Sequence, residues 1–393
     1  MKHLFSFLSV ALFLSIFAFT SCEKASIGSD SASASSSLLG TSTFAVPGGG
    51  TNTPPPTGGV LTAGEWNDFD NWSFWKNLML NDTFNIYQTK WGFNATEKWQ
   101  FIVKDLNAQL LPNAIVEIKN GTDILWTGRT NKYGSLQIIP SIFKGNNIVN
   151  ANYFVSYNNA VSATGVLSTN NPIINITIPT AVTTPSNVDI MLIVDATGSM
   201  SDEISYLKNE LLDVLNRADN QITGEMRFAS IFYRDFGDEY VTKASPFTTT
   251  KATIVNFVSA QSAGGGGDYP EAVEEALKSA MQQSWSVNAK AKIIFLIADA
   301  PSHETQEILT TLKNQIKDAA AKGIMIIPVA ASGVDKSTEF LYRFMAQATN
   351  STYTFLTNHS GVGNNHITPT IGNYQVEFLN NLMVRLITKY GGN

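Results

Sequence analysis

Three short stretches carry side chains with the chemistry to hold a hard cation. The first is Asp195-Ala196-Thr197-Gly198-Ser199-Met200-Ser201, where oxygen-bearing side chains recur at i, i+2 and i+4 around a glycine that allows a tight turn. The second is Gly264-Gly265-Gly266-Gly267-Asp268-Tyr269-Pro270-Glu271, and the third is Ile297-Ala298-Asp299-Ala300-Pro301-Ser302-His303. Oxygen ligands of this kind suit magnesium first, with calcium and manganese as alternatives. Each stretch taken singly has a simpler reading. Ser199 or Ser201 could cap a following helix, and Asp268 with Glu271 fits a capping box with Pro270 in the first turn. The glycine run could suggest a phosphate cradle, but no Gly-Lys-Ser/Thr follows it.

The surrounding pattern gives these stretches one address. Val188–Val194 is an apolar run interrupted only by Asp189, the mark of a strand buried on both faces of a parallel sheet. Ile204, Leu207, Leu211 and Leu215 then follow helical spacing. Strand-like runs recur at 227–233, 240–247, 292–298, 324–330 and 352–355. Helical patterns fill 251–260, 270–284, 305–321, 337–349 and 375–390. This alternation predicts a doubly wound, mostly parallel α/β sheet with an antiparallel edge from the 227–247 hairpin. Ligands of such sheets bind beyond the carboxyl ends of the strands, where all three stretches are expected to meet.

Asp195-Ala196-Thr197-Gly198-Ser199 resembles the Asp-x-Ser/Thr-x-Ser metal-ion-dependent adhesion site of von Willebrand factor type A domains. The resemblance covers roughly 186–390. It implies a divalent ion held by Asp195, Thr197 and Ser199, with Asp299 as the third-loop aspartate. Many relatives take a threonine from the second loop, and here the resemblance implies Asp268 in that role. It also implies a non-catalytic binding module that engages an acidic side chain of a partner protein. Three aspartates around a divalent ion leave a net charge of −1, so tight metal binding and a weaker pull on a partner's acid are expected. An alternative is a metal-assisted hydrolase with His303 as base, and another is a purely structural metal.

Upstream, 98–179 shows period-two alternation, as in Trp99, Phe101, Val103 and in Ile174, Ile176, Ile178. Turn signals punctuate it at short intervals, which predicts an antiparallel β-sandwich. It is similar to carboxypeptidase-regulatory or immunoglobulin-like modules of secreted proteins. Together with the aromatic-rich segment before it, this gives an expected domain over 61–179. Eleven aromatics lie between Trp66 and Phe101, and they are expected to pack the start of that domain rather than form a stacking surface.

At the amino end, Lys2 precedes an apolar stretch from Leu4 to Phe19, which suits a signal-peptide core. Phe19-Thr20-Ser21-Cys22 ends it, and Cys22 is the only cysteine of the chain. This resembles a bacterial lipoprotein signal, which implies cleavage after Ser21 and a lipid on Cys22. Location at the bacterial cell envelope follows, on an outer membrane or cell surface. Residues 22–60 read as a flexible tether rich in Ser, Thr, Gly and Pro, with a reach of about 35 Å.

Composition closes off other classes. The chain has 393 residues, 26 basic and 32 acidic, for a net charge of −6, so no basic footprint for nucleic acid exists. Charged residues make up 15% and aromatics 11%, which excludes a disordered acidic protein. Mean hydropathy of −0.01 excludes a multispanning membrane protein. One cysteine excludes a disulfide framework, and His3, His303, His359 and His366 are too scattered for a local metal motif.

Overall fold

The computed structural model describes residues 61–392 apart from 82, 143–147, 149 and 361–365. The expected signal peptide 1–21, lipidation site Cys22 and tether 22–60 lie outside the described residues. The chain enters at β1 (Thr62–Trp66), followed by α1 (Trp72–Asn81) and α2 (Ile86–Trp91). Next comes a β-rich region of β2 (Trp99–Lys104), β3 (Ile115–Asn120), β4 (Asp123–Arg129) and β5 (Ser135–Ile138). It continues with β6 (Asn152–Tyr157), β7 (Ala160–Val166) and β8 (Ile173–Thr177). The α/β region then runs β9 (Val188–Asp195), α3 (Ser201–Asp219), β10 (Met226–Tyr233), β11 (Thr242–Thr248), α4 (Lys251–Ser259) and α5 (Val273–Met281). After these come β12 (Ala291–Ala298), α6 (Gln306–Lys322), β13 (Ile324–Ala330), α7 (Lys336–Ala348), β14 (Tyr353–Thr357), β15 (Val376–Phe378) and α8 (Leu379–Gly391).

An eight-stranded sheet has the order β11-β10-β9-β12-β13-β14-β1-β15. Strands β10, β9, β12, β13 and β14 are parallel, and β11 joins antiparallel to β10 at one edge. Every residue of β9 is buried. Its alternate side chains feed two separate cores: Met191 and Ile193 enter one, Ile190, Leu192 and Val194 the other. The second core is closed by apolar residues of α3, α4 and α8, including Leu207, Leu211, Ile254 and Leu386. The first is closed by α5, α6 and α7 and extends without a break into the β-rich region through Trp126, Val116 and Phe101.

Two expectations change here. The segment 61–101 does not serve the sandwich alone, because β1 inserts between β14 and β15 of the α/β sheet, antiparallel to both. Of the aromatics that follow, Trp75, Phe84, Trp91 and Phe93 are buried, yet against α7: the Trp75 and Phe340 rings stack at 5.9 Å, and Trp91 Nε1 donates to the Ser337 carbonyl at 3.1 Å. The same junction buries Arg343, which binds Asp68 through Nε at 3.0 Å and Glu339 through Nη1 at 3.2 Å. A long-range ion pair of this kind is not visible in local periodicity. Residues 375–378, expected as the start of the last helix, instead include strand β15.

The β-rich region forms a three-stranded sheet, β5-β2-β8, and a four-stranded sheet, β4-β3-β6-β7. The expectation of purely antiparallel pairing fails at one place: β2 and β8 are parallel. The reason is connectivity, since β8 closes the region after a hairpin in the other sheet. Among the described residues, no helix is long and apolar enough to cross a membrane.

Candidate functional site

Asp195 is the last residue of β9 and fully buried. Its Oδ1 accepts the Thr197 backbone N–H at 2.9 Å and the Thr197 hydroxyl at 2.7 Å, which closes the first loop on itself. Its Oδ2 meets no donor in ordinary hydrogen-bond geometry, and the neighbouring buried Tyr233 hydroxyl, also without a partner of that geometry, lies close enough to steady the ionised carboxylate. Burial first, and the charge of Asp299 second, push the Asp195 carboxyl up to about 7. Thr197 Oγ1 lies 3.4 Å from Ser199 Oγ, and Ser199 is exposed. Ser199 also hydrogen-bonds Asp299, whose carboxyl burial raises. The first and third loops thus converge as expected, because β9 and β12 are adjacent parallel strands that end together.

The capping alternatives do not hold. Helix α3 starts at Ser201 after Met200, with no side-chain cap, and α5 starts at Val273 after Ala272, also without one. Ser199, Asp268 and Glu271 are therefore not engaged as caps at these helix starts.

The second loop presents two carboxylates to this edge, the expected Asp268 and Glu271. Asp268 stands exposed at the crest of the loop. Glu271 turns inward instead, because its backbone N–H is fixed to the Pro301 carbonyl of the third loop at 2.8 Å. Glu271 is buried and its Oε2 is unpartnered. Desolvation, followed by the charges of Asp195, Asp235, Asp299 and Asp238, pushes its carboxyl up to about 9. A β-carbon at Gly266 would meet Glu271 Oε1 at 2.9 Å and Thr197 Cβ at 3.0 Å, so the loops touch only because residue 266 is glycine. Gly198 N–H donates to the Gly265 carbonyl at 3.1 Å across the same seam.

Positioning groups that the sequence did not disclose come from the loop after β10. Buried Arg234 donates through Nε to the Ala196 carbonyl at 3.1 Å and through Nη2 to the Ser262 carbonyl at 2.9 Å, tying two loops together. Asp238 Oδ2 accepts the Gly266 N–H at 2.9 Å. The only available signal was a charged pair, Arg234 and Asp235, at the end of an apolar strand. His303 Nε2 pairs with Asp235 Oδ1 at 2.7 Å. Nearby Glu274 is buried with both oxygens unpartnered, and burial pushes it up to about 7.

Unpartnered buried carboxylate oxygens are costly without a compensating cation. Asp195 and Glu271 leave such oxygens beside the Thr197 and Ser199 hydroxyls and Asp299, a donor set of hard oxygens that fits a divalent ion of the magnesium type. Among the described residues no three carboxylate, imidazole or thiol groups form a cage by themselves. Hydroxyls and water would have to complete the shell.

The von Willebrand factor A domain family matches residues 189–368. The alpha-protein kinase vwkA of Dictyostelium discoideum is 34% identical over 122 residues, 30% of this chain and 19% of that protein. The putative ariadne-like RING finger protein R811 of Acanthamoeba polyphaga mimivirus is 33% identical over 117 residues, 30% of this chain and 11% of that protein. The chain thus spans less than a fifth of the length of either relative. Among solved structures, the conserved hypothetical protein BatB from Bacteroides thetaiotaomicron is 17% identical, covering 52% of this chain and 86% of that one, with a TM-score of 0.29. The pilus adhesin SpaC from Lactobacillus rhamnosus GG is 14% identical, covering 43% of this chain and 28% of that one, with a TM-score of 0.34. Residues 189–368 of this chain are thus similar to the von Willebrand factor A domain family.

Proposed function

We propose that the chain is an extracytoplasmic binding protein whose α/β domain engages an acidic side chain of a partner protein through a divalent cation, magnesium in the first place. The observation that carries this reading is the unpartnered buried Oδ2 of Asp195 next to the exposed hydroxyl of Ser199. Asp195, Thr197, Ser199 and Asp299 would hold the ion, directly or through water, with Glu271 in the place first assigned to Asp268. The ion would supply a Lewis-acidic position open to a carboxylate. The residues around it would orient that group and keep the other approach closed: Arg234 fixes the first loop and Pro301 fixes Glu271.

The Phe19-Thr20-Ser21-Cys22 sequence supports a lipid anchor at Cys22 and a place at the bacterial cell envelope, with residues 22–60 as the tether. Calorimetric titration of magnesium into the apo chain, with Asp195→Asn as the comparison, tests the metal. Equal heats for the two proteins would sink it. Retention of partner proteins on the immobilised chain, lost on chelation while the fold persists, tests the binding role. The His303–Asp235 pair favours a second reading, a metal-assisted hydrolase with His303 as base. Ester or phosphate hydrolysis abolished by His303→Ala would establish that reading instead.

A further inference from the structure

Glu203 is the third residue of α3, one helical turn after Ser199. Acids are ordinary in a first helical turn, where they face the positive end of the helix, and exposed Asp202 beside it is one. Glu203 differs, being only 2% exposed. Its own backbone N–H steadies the ionised carboxylate, yet Oε2 meets no donor in ordinary hydrogen-bond geometry. A glutamate at this position commonly reaches back to the N–H of the residue before the helix. Here that N–H, on Met200, is taken by the Thr197 carbonyl at 3.1 Å. Glu203 turns instead toward the loop after β13, where its Oε1 accepts the Ser332 hydroxyl at 3.1 Å.

That contact brings a further strand end to the site. The Ala331 N–H donates to the Ala298 carbonyl at 2.9 Å, so the loops of β12 and β13 leave the sheet side by side, with Asp299 on one and Ser332 on the other. Burial raises the Glu203 carboxyl, and the charge of Asp299 adds to the rise. Asp299 in turn is bonded to Ser199. A buried carboxylate oxygen without a donor is costly. Glu203 is not used as a cap, which leaves Oε2 to a donor from outside the chain. Magnesium keeps several of its waters when it binds, and acids just outside the coordination shell hold such groups in place.

We propose that Glu203 is the outer acid of the cation site: its Oε2 accepts from a water carried by the ion, while Ser332 holds the carboxylate still. This rests on the reading of Asp195, Thr197, Ser199 and Asp299 as a magnesium site, and it adds a positioning residue to that site from the helix that follows the first loop. The role has a consequence for metal choice. Calcium takes more direct oxygen ligands in a more flexible shell, so it depends less than magnesium on a water held from outside. Glu203 therefore tilts the site toward magnesium.

Calorimetric titration of magnesium and of calcium into the full chain tests this, with urea unfolding of the metal-free proteins alongside. Glu203→Gln keeps the shape and the acceptor for Ser332. It should bind magnesium at least tenfold more weakly than wild type, and calcium less than threefold more weakly. Its metal-free urea midpoint should be no lower than that of wild type, because a buried acid has been neutralised. Asp202→Asn removes an equal charge from the same turn and should leave both affinities within twofold. Unchanged magnesium binding by Glu203→Gln, with or without lost stability, would overturn the proposal and leave the cation site standing. An equal loss for the two metals would overturn it in favour of direct ligation, and an equal loss in Asp202→Asn would reduce it to charge at a distance. A wild type that takes up no magnesium would remove the site reading and this inference with it.

Discussion

Gly266→Ala isolates the contact that builds the site. Gly266 has φ +75°, a conformation in which a residue with a β-carbon costs about 1–2 kcal/mol. The new methyl would also press on Glu271 Oε1 and Thr197 Cβ, at 2.9 and 3.0 Å. Thr197 cannot yield freely, because its N–H and hydroxyl are both bound to Asp195. Overpacking of this kind adds about 1–3 kcal/mol. The sum is a loss of roughly 2–5 kcal/mol in unfolding free energy, read by urea denaturation of the apo chain. Two neighbouring variants separate the two causes. Gly237 has φ +90° with open space around it, so Gly237→Ala should lose only the backbone share, about 1–2 kcal/mol. Gly267 meets nothing within 4 Å and has no positive φ, so Gly267→Ala should lie within about 0.5 kcal/mol of wild type. Magnesium affinity should fall at least tenfold in Gly266→Ala alone, since the methyl separates Glu271 from Thr197. A Gly266→Ala protein as stable as Gly267→Ala would refute the close approach of the two loops.

Glu271→Gln should weaken magnesium binding tenfold or more by calorimetry and Asp268→Asn by less than threefold; the reverse order would restore Asp268 to the site. Without metal, Glu271→Gln should leave stability at pH 7 equal to or above that of wild type, because it removes a buried acid with no partner. Arg343→Met strands Asp68 and Glu339 in the interior and should cost about 3–5 kcal/mol in denaturant titration, with early release of the Trp75 and Trp91 fluorescence. The double variant Arg343→Met with Asp68→Asn should recover part of that loss, and no recovery would show that packing rather than charge holds the junction. Lys292 is buried in β12, and burial, then Arg129, push its ammonium down to about 8 from 10.5. Between those values the unfolded chain binds the extra proton, so this residue's contribution to stability rises with pH through that window. The stability difference between wild type and Lys292→Met should therefore shift in favour of wild type from pH 7 to 9.5; a flat difference would contradict it.

The apolar run of β9 and the spacing of Leu207, Leu211 and Leu215 specify a buried strand followed by a helix from local pattern alone, and the same holds for most later strands. Asp195, Thr197 and Ser199 were legible because all of them sit on one loop, where sequence spacing is spatial spacing. Asp299 was legible because β12 lies beside β9 and must end at the same edge. Glu271 was not, because which of two carboxylates on a glycine-rich loop faces inward depends on a hydrogen bond to Pro301, thirty residues away in sequence. Arg234 was hidden for the same reason, its partners being backbone carbonyls of two other loops.

The amino-terminal strand marks the boundary most clearly. Thr62–Trp66 has no periodicity that distinguishes a strand of one sheet from a strand of another, and its pairing with β14 spans nearly the whole described chain. The sequence by itself determined the elements and the one-loop chemistry, through backbone propensity and the burial of alternate side chains. Tertiary structure alone decided which sheet each edge strand joins and which acid of the second loop turns inward, because those choices rest on long-range hydrogen bonds and on charges that meet only after the chain has folded.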